Sequence, residues 1–273
     1  MSTAPLLYEL HDMARERGIE GYRRMSKDEL WDVLESVPEG PTEIVSELRG
    51  GLGVLTIRGV RENRLSLEAL ESLADEVERL AADSDVRVVA IIGAGRRIFS
   101  GGADLESVGE LDGAQVTGRG SRACDRIAAA PVPTVALLNG HAVGGAIDLA
   151  LACDWRLAAP GIKLRFIHNE LGYCPPWGGA QRLGRLLPAG VALRLFATCE
   201  LISSDEARSL GIVDAVVPGD RLVDRAEALA SRVERAGREA VAATKALLAP
   251  AAAVDEHEAA FARLWDAAKL EGK

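Results

Sequence analysis

Aromatic side chains are scarce, at 4% of 273 residues, so large ring anchors cannot dominate the interior. The abundance of alanine and glycine points instead to closely approaching backbone. Four cysteines, Cys124, Cys153, Cys174 and Cys199, stand far apart with no C-x-x-C pair and no histidine spaced to complete a zinc set. They read as reduced core or pocket thiols, and no metal is expected. No run approaches the roughly 18 apolar residues of a membrane helix, and residues 1–10 lack the charged start and apolar stretch of a leader. A cytosolic location with no membrane partner is therefore expected. Basic charge is in deficit: 32 Lys and Arg face 41 Asp and Glu, for a net charge of −9. That excludes binding of nucleic acid by the chain as a whole, which needs clustered basic surface. With 48% hydrophobic and 27% charged residues, the composition is globular and long enough for one large domain and a smaller unit.

The smaller unit comes first. Leu6, Leu7, Leu10, Met13 and Ala14 recur at helical spacing, residues 18–22 interrupt, and Ser26 caps a second helix through Leu30 and Leu34. Two prolines and a glycine in residues 37–41 disfavour helix and ladder alike, which divides the chain into a small helical module and linker at 1–40 and a larger α/β domain at 41–273. In the domain, residues 43–49 and 53–58 read as two strands about a Gly-Gly turn. Ser66 then caps a helix bearing Leu67, Leu70, Leu73, Val77 and Leu80 on one face. Apolar runs at 86–92 and 134–138 read as buried strands, with helices at 119–129 and 145–153 and further strands at 155–158 and 162–166. Beyond Gly178 the chain turns mostly helical. Ser203 to Glu206 is a capping-box start, 213–217 a last short strand, and the final fifty residues form two or three amphipathic helices.

Two glycine-rich turns follow buried strands. One is Phe99-Ser100-Gly101-Gly102-Ala103-Asp104; the other is Asn139-Gly140-His141-Ala142-Val143-Gly144-Gly145-Ala146, which opens a helix. Each can leave backbone N–H groups pointing into one cavity, and two such donors make an oxyanion hole.

The stretches FSGGADL, NGHAVGGAIDLALACDWRLAA and GGAQRLGRLLP resemble successive signatures of the crotonase family, the enoyl-CoA hydratases and isomerases. The resemblance covers residues 42 to 273 and implies a spiral of β-β-α turns with C-terminal helices. It also implies assembly as a homotrimer or dimer of trimers, and an acyl-CoA substrate in which coenzyme A is part of the substrate and no cofactor is permanently bound. Ala103 and Gly145 would be the oxyanion donors. Phe99, Gly101, Leu105 and Trp177 would line the substrate, with Trp177 narrowing the acyl pocket, and Arg96, next to Arg97, would meet the phosphates of coenzyme A. In the hydratases two glutamates flank the acyl group. The first falls here on Asp148, one methylene shorter, and the second on His168, so glutamate-pair water addition is not the expected chemistry. An imidazole with its reference pKa of about 6.5 would move protons near neutrality. Glu170 is a lesser candidate for the missing carboxylate.

A histidine at this place also resembles the branch of the family that cleaves carbon–carbon bonds in β-dicarbonyl compounds, although that branch carries an aspartate where Trp177 stands. A catalytically silent scaffold that recruits a partner through its first module is the alternative of another class. Residues 6–37 resemble the small module at the N-terminus of the terminator Rho and its SAP-like relatives. Five basic against eight acidic residues there favour a protein contact over nucleic acid.

Overall fold

The computed structural model describes residues 7–16, 22–27, 29–30 and 40–248. Leu34, residues 37–39 of the linker and the helices expected beyond Leu248 lie outside them.

A helix, α1 (Leu7–Glu16), buries Leu10 and Ala14 against Leu30, with Tyr22 and Met25 packed alongside. Ser26 forms the expected cap: its Oγ accepts from the Glu29 N–H, and the Glu29 carboxylate accepts from the Ser26 N–H and hydroxyl. This small cluster shares no residue with the main core.

The larger unit opens on a hairpin, β1 (Glu43–Arg49) and β2 (Leu52–Arg58), paired antiparallel from Glu43↔Arg58 to Arg49↔Leu52. A helical turn, α2 (Val60–Asn63), leads to α3 (Leu67–Ala82), whose cap Ser66 accepts from the Ala69 N–H and whose Leu67, Leu70, Leu73, Val77 and Leu80 are buried as the periodicity requires. Three strand pairs then alternate between two sheets. Strands β3 (Val88–Gly93), β5 (Thr134–Leu138) and β7 (Trp155–Ala158) extend the first sheet in parallel, while β4 (Ile98–Ser100), β6 (His141–Val143) and β8 (Lys163–Arg165) build a second. Helices α4 (Leu105–Val108) and α5 (Gly113–Ala129) follow the first pair, and α6 (Gly145–Ala152) follows the second. After β8 come α7 (Gly179–Leu186), α8 (Ala189–Thr198), β9 (Leu201–Ser203), α9 (Ser204–Leu210), β10 (Ala215–Val216), α10 (Leu222–Ala236) and α11 (Arg238–Leu248). The six-stranded sheet runs β1-β2-β3-β5-β7-β10 and the four-stranded one β4-β6-β8-β9. This is the α/β spiral of β-β-α turns with trailing helices.

Two expectations need correction. The first glycine turn does not follow β3 directly, because β4 intervenes, and the second, which starts directly after β5, itself contains β6; at three residues each these strands are too short to show a period. Helix α5 begins at Gly113 rather than near Arg119, because Asp112 and Gln115 form a capping box that fixes its start.

Helices α3 and α5 pack side by side and are tied at the rim by Arg119 to Glu68 and Glu71, and by Arg126 to Asp75 and Glu78. Such half-exposed pairs add little stability and act mainly to fix register. Helix α11 is fastened at both ends. Arg238 donates to the carbonyls of Ala81, Asp83 and Val86, and the Lys245 ammonium lies 2.6 Å from Asp154 Oδ2. No helix among the described residues is long and apolar enough to cross a membrane, and no group of three or more metal-ligating side chains is found among them.

Because the two apolar clusters are separate, and Thr42 already anchors the start of β1 by donating to the Arg64 carbonyl at 2.5 Å, a chain beginning at residue 41 is expected to unfold cooperatively within a few degrees of the full chain. Circular dichroism melts of the two check this; loss of the cooperative transition in the shorter chain would show that the first module is part of the domain.

Candidate active site

Most N–H groups of the two glycine turns are committed to acceptors within the fold. In the first turn Gly101 donates to the Glu62 carbonyl, Gly102 to Ser100 Oγ and Asp104 to the Leu65 carbonyl. Ala103 is left without an acceptor among the described residues. In the second turn Gly144 donates to the Arg165 carbonyl and Ile147 back to Gly144. Gly145 is the first residue of α6, where the helix supplies no acceptor and its positive end faces outward.

The two turns touch. Gly102, at φ +86°, lies so close to the second turn that a methyl group on it would sit 2.5 Å from the Val143 carbonyl oxygen and 2.9 Å from the Gly145 nitrogen. Only glycine fits both that conformation and that approach. Two asparagines absent from the sequence-based set of site residues hold the surrounding loop. Asn63 Nδ2 donates to the carbonyls of Ala94, Ile98 and Phe99, and Asn139 binds both the N–H and the carbonyl of Gly93. Their signal is present in part, since an asparagine ending β5 just before a glycine is a turn-forming pair.

Asp148, on the first turn of α6, is completely buried, and His168, in a short 3-10 turn over Ile167–Asn169, is 2% exposed. His168 Nε2 lies 3.8 Å from Asp148 Oδ2, and Oδ2 also accepts from the Trp177 N–H at 3.1 Å. Asp148 Oδ1 and both imidazole nitrogens have no hydrogen-bond partner among the described residues, an uncommon state for buried polar atoms and one suited to receiving a ligand. Burial dominates the electrostatics. It pushes the Asp148 carboxyl up to about 7, against the lowering effect of the Trp177 N–H and the Arg182 guanidinium. It pushes His168 down to about 3. The imidazole is therefore neutral throughout the physiological range, and the group that titrates near neutrality is Asp148. The reference value expected for His168 is overturned by desolvation, which disfavours the charged form of both partners in opposite senses.

Trp177 is fully buried with its indole between α5 and α6. Arg182, on α7, donates to the Trp177 carbonyl at 2.6 Å and is paired with Asp125. The loop is thus held from α7 on one side and by Asp148 on the other. Gly101 is half-buried beside the Arg64 side chain, which approaches to 3.2 Å of where a Cβ would stand. Leu105 is exposed, as are Arg96 and Arg97 in the loop from β3 to β4. Phe99 is fully buried in the main core, so its side chain packs the sheets. Glu170 faces solvent and accepts from Arg165 at 2.6 Å; the structure does not bring it to the buried pair. A cavity of about 440 Å³ against β1, β2 and β3 is lined by Arg49, Thr56, Arg58 and Ile92 among others and includes neither Asp148 nor His168.

A family model described as enoyl-CoA hydratase/isomerase matches residues 47–264. The chain belongs to this family. It is 33% identical over 207 residues to the crotonyl-CoA hydratase of Syntrophomonas wolfei, covering 74% of this chain and 80% of that one. Against the peroxisomal fatty acid beta-oxidation multifunctional protein MFP2 of Arabidopsis thaliana it is 36% identical over 202 residues, covering 71% of this chain but 27% of the plant protein. The chain thus spans about a quarter of the length of the multifunctional relatives it matches. The crystal structure of an enoyl-CoA hydratase from Bacillus anthracis superposes with a TM-score of 0.71 at 28% identity, covering 84% of this chain and 91% of that one.

The buried Asp148 gives a stability test. A carboxyl raised from 3.8 to about 7 in the folded state keeps its proton longer there than in the unfolded chain, so stability falls as pH rises from about 4 through 7. Asp148→Asn keeps the acceptor for Trp177 but carries no charge. Its melting temperature is expected to exceed that of the parent by several degrees at pH 8 and to differ little at pH 5. An equal difference at both pH values would show that the carboxyl is not protonated on burial.

Proposed function

We propose that the protein acts on acyl-CoA thioesters through an enolate, with the thioester oxygen held by the Ala103 and Gly145 N–H groups and protons handled by Asp148 and His168. The observation that carries this reading is the meeting of two N–H donors uncommitted among the described residues with a buried pair of proton-transfer groups whose outer atoms, Asp148 Oδ1 and His168 Nδ1, have no hydrogen-bond partner there. Donors fixed by backbone stabilise charge that develops on the oxygen without reorganising, an effect of about 10²- to 10³-fold per donor. Hydration of a 2-enoyl-CoA is the reaction to test first. The Asp148 carboxylate takes a proton from water as the hydroxyl adds to C3, and C2 of the enolate receives a proton, so that one water is consumed. The neutral His168 orients that water and relays the proton. Arg96, exposed in the loop before β4, and Arg64, beside Gly101, supply positive charge for the coenzyme A phosphates. Assembly as a homotrimer or dimer of trimers is what the family resemblance implies. The N-terminal module, with its own apolar cluster, is assigned to a protein contact.

Calorimetry with coenzyme A thioesters, followed by turnover of a 2-enoyl-CoA panel, tests the reading. Absence of binding, together with cleavage of a cyclic β-diketone, would favour the carbon–carbon hydrolase branch; binding without turnover of any thioester would favour a silent scaffold. The rate is expected to rise with pH through about 7 as Asp148 loses its proton. His168→Gln should lower turnover yet leave that limb in place, whereas Asp148→Asn should abolish both. A limb that vanishes in His168→Gln would transfer the titrating role to the imidazole.

A further inference from the structure

The Trp177 indole occupies a slot that exists only because two facing residues have no side chain. A Cβ on Gly120, in the middle of α5, would lie 2.0 Å from the indole Cδ1 and 2.1 Å from Nε1. One on Gly145 would lie 2.5 Å from Cζ3 on the opposite edge of the ring. The indole therefore bridges α5 and the first residue of α6, the residue that presents an oxyanion donor. Its backbone is fixed as well, by its N–H to Asp148 Oδ2 and by Arg182 on its carbonyl. Around the other side of the pair, the His168 ring lies 6.1 Å from that of Tyr173 and 6.2 Å from that of Phe196, which packs edge-on against Phe166. In a chain with so few aromatic residues, three of them, Trp177, Tyr173 and Phe196, lie around Asp148 and His168. Packed rings in a close-packed interior yield little, because displacing one needs its neighbours to move.

We infer that Trp177 is a plug that ends the acyl site next to the reacting carbons, so that the substrates are thioesters of short acyl groups. The inference rests on the acyl-CoA reading above and adds its substrate class. An acyl chain bound with its carbonyl at Ala103 and Gly145 has its C2 and C3 against one side of the Asp148–His168 pair, whose facing atoms are 3.8 Å apart, and further carbons meet the Trp177 indole, which packs on Gly145. Trp177 sets the limit because it is seated by glycines on both edges and tied to Asp148.

The test measures binding of acetyl-, butyryl- and octanoyl-CoA to the full chain by calorimetry, and turnover of crotonyl- and 2-octenoyl-CoA, for the parent, Trp177→Ala and the milder truncation Trp177→Leu. The parent is expected to prefer the short thioesters by about tenfold or more, and the variants to recover the octanoyl and octenoyl compounds by a similar factor. Gly120→Ala, which pushes on the indole without touching Asp148 or His168, is expected to lower the melting temperature, and Trp177→Leu in that background to restore it. Equal affinity of the parent for all chain lengths, or an unchanged preference in folded Trp177 variants, would overturn the plug and leave the acyl-CoA reading standing. Failure of every thioester to bind would overturn both.

Discussion

The site depends on the contact between two backbones at Gly102 and Gly145. Each turn ends a three-residue strand of the second sheet, and the parallel pairing of β4 with β6 sets them side by side. Neither turn could approach the other if Gly102 carried a side chain. Once they touch, most of the N–H groups in the first turn find acceptors nearby, and the donor left over is fixed by geometry rather than by a flexible side chain. The large sheet, the packing of α3 on α5 and the clasps on α11 matter to function because they hold this contact still. Preorganised donors of this kind are effective because they need not be reoriented as charge develops.

The second constraint is dielectric. Asp148 and His168 are close enough for a charged pair, yet the burial of both opposes it: ionising either one costs solvation that a single N–H from Trp177 and a distant guanidinium do not replace. The pair is therefore poised with a neutral imidazole and a carboxyl that ionises near neutrality. Tyr173, pushed up to about 12 chiefly by burial and then by Asp148, belongs to the same dry environment. A short acid fits this setting, because Asp148 is wedged against Gly179 at the start of α7, where even a Cβ would collide with its carboxylate.

Much of the fold and of the site is legible in the sequence because the signals are local. The Ser66 cap and the Leu67 to Leu80 stripe mark α3 and apolar runs mark the strands of the large sheet, while Ala103, Gly145, Asp148 and His168 become candidates only through the family resemblance that the glycine turns and their flanks carry. The features that escape are either too short or non-local. Strands β4, β6 and β9 carry no period, and the positioning roles of Asn63, Asn139 and Arg182 depend on partners about 30 to 60 residues away or on a loop carbonyl. The protonation of the pair is hidden for the same reason: a reference pKa describes a solvated group, and burial is a property of the assembled fold. Glu170 shows the converse, a residue near in sequence to His168 that the 3-10 turn sends to the surface and to Arg165.

The most direct test of the account is the carbonyl stretch of a bound thioester. With butyryl-CoA labelled with carbon-13 at the carbonyl, infrared difference spectra should show that band moved to lower frequency on binding, because the Ala103 and Gly145 N–H groups polarise the oxygen. A bound thioester whose carbonyl band stays where it lies in water would contradict the oxyanion site, and with it the mechanism built on it.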